Sequence, residues 1–212
     1  MLARMSKFIL VAILLCGAGM AGADPMMDAI TELQHGWAKG YYSTPKDQQN
    51  DYFEALQVKA HQLSEKFPGR AEPLIWEGII TSTHAKYQSI FSAGGTAKAA
   101  RDLLLSAEKI DANALDGSAL TSLGSLYYKV PRFGSFGDYD KARDYLERAL
   151  KVNPSGIDQN FFYGEFLSER GETAKAVEHL KKALAAPARP GREDADSGRR
   201  AEIQQLLNKL TK

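Results

Sequence analysis

The chain has 212 residues, of which 44% are hydrophobic, and its 27 basic and 26 acidic side chains leave a net charge of +1. A charge so close to zero excludes nucleic acids and anionic membrane surfaces as partners held by bulk electrostatic attraction. The single cysteine excludes an intramolecular disulfide and a cluster of thiolate metal ligands, so we expect packing to stabilise the fold.

The N-terminus has the pattern of a secretory signal peptide. Arg4 and Lys7 precede an apolar run that ends in the small residues 21–23, the pattern recognised by signal peptidase. The apolar run is too short, and too rich in glycine toward its end, to span a membrane comfortably. We therefore predict a cleaved signal peptide at residues 1–23 and a single periplasmic domain at residues 24–212, whose 25 basic and 26 acidic side chains give a net charge near −1.

A lipoprotein is the alternative interpretation of the same segment. Cys16 lies inside the apolar run, and lipid attached to it would tether the chain to a membrane. The residue before a lipid-modified cysteine is normally small, whereas Leu15 precedes this one. The cleaved periplasmic protein is therefore favoured.

A repeat of paired helices is visible in residues 160–184, NFFYGEFLSERGETAKAVEHLKKAL. This segment resembles a tetratricopeptide repeat at the following positions: Tyr163, Gly164, Leu167, Gly171, Ala176, Leu180 and Ala183. Small residues let two helices approach closely, and the large residues between them fill the seam. Because one pair cannot bury its own apolar face, several pairs must stack. The pattern predicts an all-α helical-hairpin solenoid.

The earlier units carry the same pattern with longer connections between their helices. Tyr127 and Ala142 are 15 residues apart, whereas the corresponding Leu167 and Ala176 are nine apart, so six residues are inserted between the two helices. In the unit before, the surplus falls around YQSIFSAGGT. The glycine-rich AGGTAK at residues 93–98 predicts a bend between helices there.

Four helix pairs and a terminal cap account for the whole domain. The predicted pairs cover residues 26–68, 71–110, 114–152 and 156–186, the first of them degenerate. A capping helix is predicted at residues 195–211, with polar side chains on one side and an apolar stripe on the other, formed by Ile203, Leu206, Leu207 and Leu210. No alternating pattern of a β-strand occurs at any length.

Motifs for catalysis or metal binding are absent from the sequence. None of the four histidines lies three or four residues from another, and HExxH and GxSxG do not occur. Glu165 and Glu169 lie one helical turn apart, but we interpret them as a solvated face rather than a catalytic pair. We predict no metal, no cofactor and no enzymatic activity.

The inner surface of such an array is formed by the first helix of each pair. Its outward positions carry mainly hydroxyls and apolar groups, with Lys129 as the main cation, which argues against a clamp for a peptide's terminal carboxylate. Such a surface suits a neutral or amphipathic ligand better.

The insertion VPRFGSFGD places Phe133 and Phe136 before the next helix, which starts near Asp138, with the third ring, Tyr139, directly after it. Three rings exposed together would form an apolar patch that is costly in water. They either fold back over helix ends, wall a ligand cleft, or enter a contact between copies of the chain. The candidate binding residues for a ligand or protein partner are Trp76, Tyr127, Tyr128, Phe133, Phe136, Tyr139, Phe161 and Glu165.

From Gly124 onward the chain resembles the T-components of TRAP transporters. The resemblance is carried by LGSLYYKVP, FGD and KARDYLERALKVNP, by NFFYGEFL, and by RPGREDADSGRRAEIQQLL. It implies a periplasmic helical protein that forms oligomers and partners the solute-binding subunit of a secondary transporter, with hand-over of a hydrophobic ligand. A general periplasmic scaffold that binds other proteins is the alternative function.

Overall fold

The computed structural model describes residues 24–212, and this part of the chain forms nine α-helices and no β-strand. The helices are α1 (Pro25–Tyr42), α2 (Gln49–Lys66), α3 (Ala71–Ala85), α4 (Ile90–Ile110), α5 (Ala114–Lys129), α6 (Tyr139–Val152), α7 (Ile157–Glu169), α8 (Thr173–Leu184) and α9 (Glu193–Leu210). The prediction of an all-α solenoid is confirmed. The predicted signal peptide at residues 1–23, including Cys16, lies outside the described residues.

Each odd-numbered helix packs against the even-numbered helix that follows it, which gives four helix pairs. The odd-numbered helices also contact one another in series, α1 with α3, α3 with α5, and α5 with α7. Within residues 24–212 the even-numbered helices have no close backbone contacts with one another, and α4 and α6 meet through side chains, where Arg148 and Tyr145 contact Glu108. Because the first helices of neighbouring pairs lie closer together than the second helices do, the array curves, with the first helices on its inner side.

The last helix closes the array rather than capping one end alone. Helix α9 packs on α7 and α8 in the fourth pair, as a cap would, and it also contacts α1 in the first pair. Tyr42 near the end of α1 hydrogen-bonds Glu202 on α9, and His35 pairs with Asp194. The result is a ring of five helices, α1, α3, α5, α7 and α9.

The same glycine-to-leucine contact holds the two helices of every pair together. A methyl group at Gly78 would come within 2.7 Å of Leu104, and one at Gly124 within 2.6 Å of Leu146. Gly164 with Leu180 and Gly36 with Leu56 repeat the relationship, both at 2.9 Å. The absence of a side chain on the first helix therefore lets the leucine of the second lie almost on its backbone.

The predicted bend at AGGTAK is wrong. Residues 93–98 lie inside α4, which has 21 residues against 14 in α6 and 12 in α8. A glycine within a helix costs about 1 kcal/mol relative to alanine, and the alanine-rich remainder of α4 offsets that cost. The extra length of this repeat is thus a helical extension, and the turn lies earlier, around Gln88.

The insertion between α5 and α6 is a loop of residues 130–138 that returns to the end of α5. The backbone N–H of Asp138 donates to the carbonyl oxygen of Tyr127 at 2.8 Å. The Asp138 carboxylate then accepts hydrogen bonds from the backbone N–H groups of Asp140 and Lys141, at 3.0 and 3.1 Å. This N-cap fixes the start of α6 and leaves residues 131–135 at the mouth of the ring.

Candidate functional site

The ring of five helices surrounds a cavity of about 690 Å³. Cavities that bind drug-sized ligands have volumes of roughly 300 to 1,000 Å³. The extension of α4 and the 130–138 loop form its rim, where they contribute Ile90, Ala93 and Phe133. The two irregular repeats thus deepen an inner surface that a regular solenoid would leave as an open groove.

Aromatic side chains form part of the cavity wall. Trp37 and Tyr41 on α1 stack with ring centroids 4.9 Å apart. Trp76 on α3 and Phe161 on α7 line the cavity as well. Both tryptophans of the chain therefore face this space. Their rings offer apolar contact area to a ligand body.

Hydroxyl groups form much of the remaining wall, from Ser82, Thr83, Ser118, Thr121, Ser122 and Ser125. Several donate to backbone carbonyls of their own helix, such as Thr83 Oγ1 to Ile79 at 2.8 Å. Thr83 Oγ1 also accepts a hydrogen bond from Trp37 Nε1 at 2.9 Å. This part of the wall is polar but uncharged.

A network of ion pairs lies where α9 faces α7. The Asp158 carboxylate accepts from Arg189 Nη1 at 2.7 Å and from Arg199 Nε at 2.8 Å. Arg199 also donates to Glu202 at 2.7 Å, and Glu202 accepts from Tyr42 at 3.0 Å. Burial alone would raise the pKa of Asp158, but the two arginines outweigh burial and hold that pKa well below its usual range. Asp158 is therefore ionised whenever the protein is folded near neutral pH.

The tyrosines beside this network are held in their neutral form. Burial raises the pKa of Tyr41 to about 12, with Glu202 adding to the effect. Burial likewise raises the pKa of Tyr42 far above its usual range. Neither hydroxyl loses its proton at neutral pH, so both act as hydrogen-bonding groups.

A second polar cluster joins α5 to α7. Tyr128 donates to Glu165 Oε2 at 2.6 Å, and Lys129 Nζ lies 2.8 Å from the same oxygen. Burial, followed by the Glu165 charge, raises the pKa of Tyr128 well above its usual range. The Glu165 side chain is only 24% exposed, so it belongs to the cavity wall rather than to the expected solvated face. Its neighbour Glu169 is exposed.

The three aromatic residues of the insertion do not act as one unit. Phe136 packs edge-on against Tyr127, with ring centroids 5.8 Å apart, and Tyr139 packs against Phe166 at 6.4 Å. Phe133 is 99% exposed and lies at the cavity rim. Two of the rings therefore fold back over helix ends, while the third is free to contact a ligand or another protein.

Four of the eight residues named from the sequence line the cavity: Trp76, Phe133, Phe161 and Glu165. The other four pack behind its wall: Tyr127, Tyr128, Phe136 and Tyr139. The structure thus separates the candidates into residues that can touch a ligand and residues that hold the wall.

Sequence reasoning missed the contributions of α1 and of the segment that leads into α9. Trp37, Tyr41 and Tyr42 come from the degenerate first unit, and Arg189, Arg192 and Arg199 come from the region interpreted as a cap. One signal was available. Arg192, Asp196 and Arg199 follow the spacing of the apolar stripe that continues at Ile203 and Leu207, so they share its face of the helix.

Two further properties concern residues 24–212 alone. No group of three or more His, Cys, Asp or Glu side chains in this range is arranged to hold a metal ion. None of the helices in the range combines the length and the apolar character needed to cross a bilayer.

A family model described as the tetratricopeptide repeat matches residues 133–155, which run from the 130–138 loop through α6. No curated protein matches the chain. The matched segment covers the second helix of the third pair, where Leu146 packs on Gly124. The chain is therefore similar to tetratricopeptide-repeat proteins, which generally act as non-enzymatic scaffolds for protein–protein interaction.

Proposed function

We propose that this chain is an exported, non-enzymatic binding protein that holds a ligand with an apolar body in the ring cavity. We further propose that it acts as an accessory of TRAP-type solute uptake and contacts the solute-binding subunit. The resemblance to T-components in KARDYLERALKVNP and in the segment after Pro187 supports this assignment.

The cavity carries the proposal for ligand binding. A scaffold that used only its outer surfaces would gain nothing from an internal space of about 690 Å³ faced by two tryptophans. Without a ligand the aromatic part of this wall faces water, which is unfavourable in proportion to the apolar area exposed. A ligand with an apolar body removes apolar wall area from water.

The ionisable groups of the cavity argue for binding rather than catalysis. A general acid or base works best when its pKa lies near the operating pH. Here burial would raise the pKa of Asp158, but Arg199 and Arg189 hold it far below that point, while burial places the pKa of Tyr41, and of Tyr128 behind the wall, far above it. These groups keep one protonation state at neutral pH and serve to hold helices and orient polar contacts.

Exposed apolar side chains at the rim support a protein partner. Phe91 and Ile90 at the start of α4 are 96% and 86% exposed, and Phe133 on the loop is 99% exposed. Large apolar groups that remain in water commonly mark interaction surfaces. We propose that the solute-binding subunit docks near this rim, and a second copy of the chain is the other candidate occupant.

The ligand-binding part of the proposal is tested by titrating the protein with 1-decanol and with decanoate. Because both tryptophans face the cavity, intrinsic tryptophan emission reports its occupancy. Ser122→Phe places a ring in the cavity and narrows it. We expect this variant to lower the affinity for both probes on the order of tenfold. The matched control Ser106→Phe changes an exposed serine outside the cavity and should leave both affinities unchanged. No response to either probe, measured also by calorimetry, would contradict this function.

The TRAP part is tested separately by the neighbouring genes and by the partner they encode. We expect a TRAP membrane subunit next to this gene, and sedimentation of the purified chain with the cognate solute-binding subunit should give a complex. The general periplasmic scaffold is the second candidate, favoured by the tetratricopeptide match. Genomes that carry this gene without any TRAP subunit, together with no complex in sedimentation, would favour the scaffold.

A further inference from the structure

Basic side chains outnumber acidic ones around the ring cavity. Among the residues that line it, five are basic and three are acidic: Lys86, Lys129, Arg189, Arg192 and Arg199 against Asp158, Glu165 and Glu202. The mature domain as a whole has nearly balanced charge. The excess is therefore local to the cavity.

Three of the five cations are neutralised by carboxylates of the protein. Lys129 pairs with Glu165, and both Arg189 and Arg199 pair with Asp158. Arg189 also reaches Asp196 with Nε at 2.7 Å. The charges of these three cations are already balanced by carboxylates of the protein. They therefore contribute little to the binding of an anionic ligand.

Arg192 differs from the other arginines of the cavity. Among residues 24–212, no carboxylate oxygen lies within 4.0 Å of its guanidinium, and its buried Nε has no hydrogen-bond partner. Its guanidinium lies 5.3 Å from the centroid of the Trp76 ring, over the ring face. The side chain also lines a smaller adjoining pocket of about 410 Å³. Arg192 is thus a cation fixed against an aromatic wall with unused donors.

The surroundings make this lone cation costly. Burial and the nearby charge of Arg189 lower the pKa of Arg192, and the carboxylates of Asp158, Asp196 and Asp194 counter this only from a distance. Arginine nevertheless keeps its proton in proteins. A buried polar group without a partner costs free energy that a bound partner recovers. A guanidinium in this state favours a planar anion that accepts two parallel hydrogen bonds.

We infer that the cavity binds an amphipathic carboxylate, with its head group on Arg192 and its apolar body along Trp76, Trp37 and Phe161. This inference rests on the proposed ligand-binding function and specifies the ligand class. A single unpaired guanidinium matches a single negative charge. Arg192 lies over the Trp76 ring, and Trp37 and Phe161 line the same cavity, so one extended molecule can reach the guanidinium and the aromatic wall.

Lys86 is the competing cation. Its Nζ contacts the Tyr41 hydroxyl at 2.9 Å and, within the described part of the chain, pairs with no carboxylate. Lys86 is exposed, however, so water already solvates its charge. An anion gains less there than at the buried Nε of Arg192.

The test compares decanoate with 1-decanol and decyltrimethylammonium by isothermal titration calorimetry at neutral pH. In the unaltered protein we expect decanoate to bind on the order of tenfold more tightly than decanol, since a hydrogen bond to a charged group adds that much. The cationic probe should bind more weakly than decanol. Arg192→Gln should remove the preference for decanoate and leave the affinity for decanol unchanged. Lys86→Gln should keep the preference.

The outcomes separate this inference from the proposed function. Equal binding of decanoate and decanol by the unaltered protein would overturn the head-group assignment and leave the apolar cavity intact. A preference lost in Lys86→Gln but kept in Arg192→Gln would overturn the role of Arg192. No binding of any probe would overturn both proposals. The comparison of probes on the unaltered protein decides the ligand class even if a variant folds poorly.

Discussion

The hydroxyl of Tyr128 on α5 donates a 2.6 Å hydrogen bond to the carboxylate of Glu165 on α7. This contact crosses the seam between the third and fourth helix pairs, at a point where Tyr128 is buried and Lys129 supplies the countercharge. The seam is therefore held by a charge-assisted bond as well as by apolar packing. Both residues were candidates for ligand contact, but in the structure their polar groups hydrogen-bond to each other.

Tyr128→Phe is expected to lower the free energy of unfolding by about 1.5 to 3 kcal/mol, the range for a hydrogen bond to a charged group. The ring and its packing against Phe166 stay, so the loss is due to the hydroxyl. Urea denaturation followed by circular dichroism measures it. Tyr139→Phe is the control, because the Tyr139 hydroxyl makes no hydrogen bond to residues 24–212. Equal stability of both variants would show that this bond does not hold the seam.

Gly124→Ala and Gly95→Ala are expected to change stability in opposite directions. A methyl group on Gly124 would lie 2.6 Å from Leu146 Cγ and 3.2 Å from a backbone nitrogen, so α5 and α6 must move apart. We expect a net loss of about 1 to 3 kcal/mol from this overpacking. In the described part of the chain nothing lies within 4 Å of the same position on Gly95, so its substitution should gain about 1 kcal/mol of helix propensity. Thermal melts of the two variants measure the difference, and a shift in the same direction for both would contradict it.

Phe133→Ala and Phe136→Ala are expected to separate the two roles of the insertion. Phe136 contacts Tyr127 and lies under the guanidinium of Arg101 at 4.7 Å, so its truncation should cost about 1 to 3 kcal/mol. Phe133 is 99% exposed, and its truncation should change stability by less than about 0.5 kcal/mol. Helicity should persist in both variants. Decanoate titrations should respond to Phe133→Ala, and the absence of any effect on either ligand binding or assembly would leave this ring without a function.

The repeat was predictable because its signal is local. Gly78, Gly124 and Gly164 each lie in the first helix of a pair, and their leucine partners lie in the second helix of the same pair. A single short stretch of sequence therefore contains both sides of the contact. The same logic failed for AGGTAK. Two glycines do lower helix propensity, but they cannot break a helix whose flanking residues favour it.

Closure of the ring was not predictable from local pattern. Tyr42 meets Glu202 across 160 positions of sequence, and Arg199 meets Asp158 across 41. An amphipathic pattern shows which face of α9 is apolar, but it does not reveal that charged residues on the same face are buried by partners elsewhere in the chain. The cavity and its arginines depend on those distant contacts. The sequence therefore indicates the helix pairs but not the cavity that they enclose.

Asp158→Asn is expected to destabilise the protein in a way that depends on pH. Burial would raise the pKa of Asp158, but Arg199 and Arg189 hold it well below its usual range. For a group whose folded pKa is depressed, the added stability is fully present above the unfolded pKa of about 3.9 and is lost as pH falls below it. At pH 7 we expect the free energy of unfolding to fall by about 2 to 3 kcal/mol. This is less than for a fully buried pair, because the Asp158 side chain is 25% exposed.

The pH series is the measurement that identifies this ion pair as the cause. Urea titrations of Asp158→Asn and of the unaltered protein at pH 7, 5, 4 and 3 should give a constant difference down to about pH 4 and a shrinking one below it, because the unfolded state of the unaltered protein then takes up a proton at Asp158 that the folded state does not. Asp47→Asn changes an exposed carboxylate in the turn between α1 and α2 and should stay within about 0.5 kcal/mol throughout. A difference that stays constant at pH 3 would mean that the asparagine disturbs packing. The closure of α9 against α7 would then depend on shape rather than on the charge of Asp158.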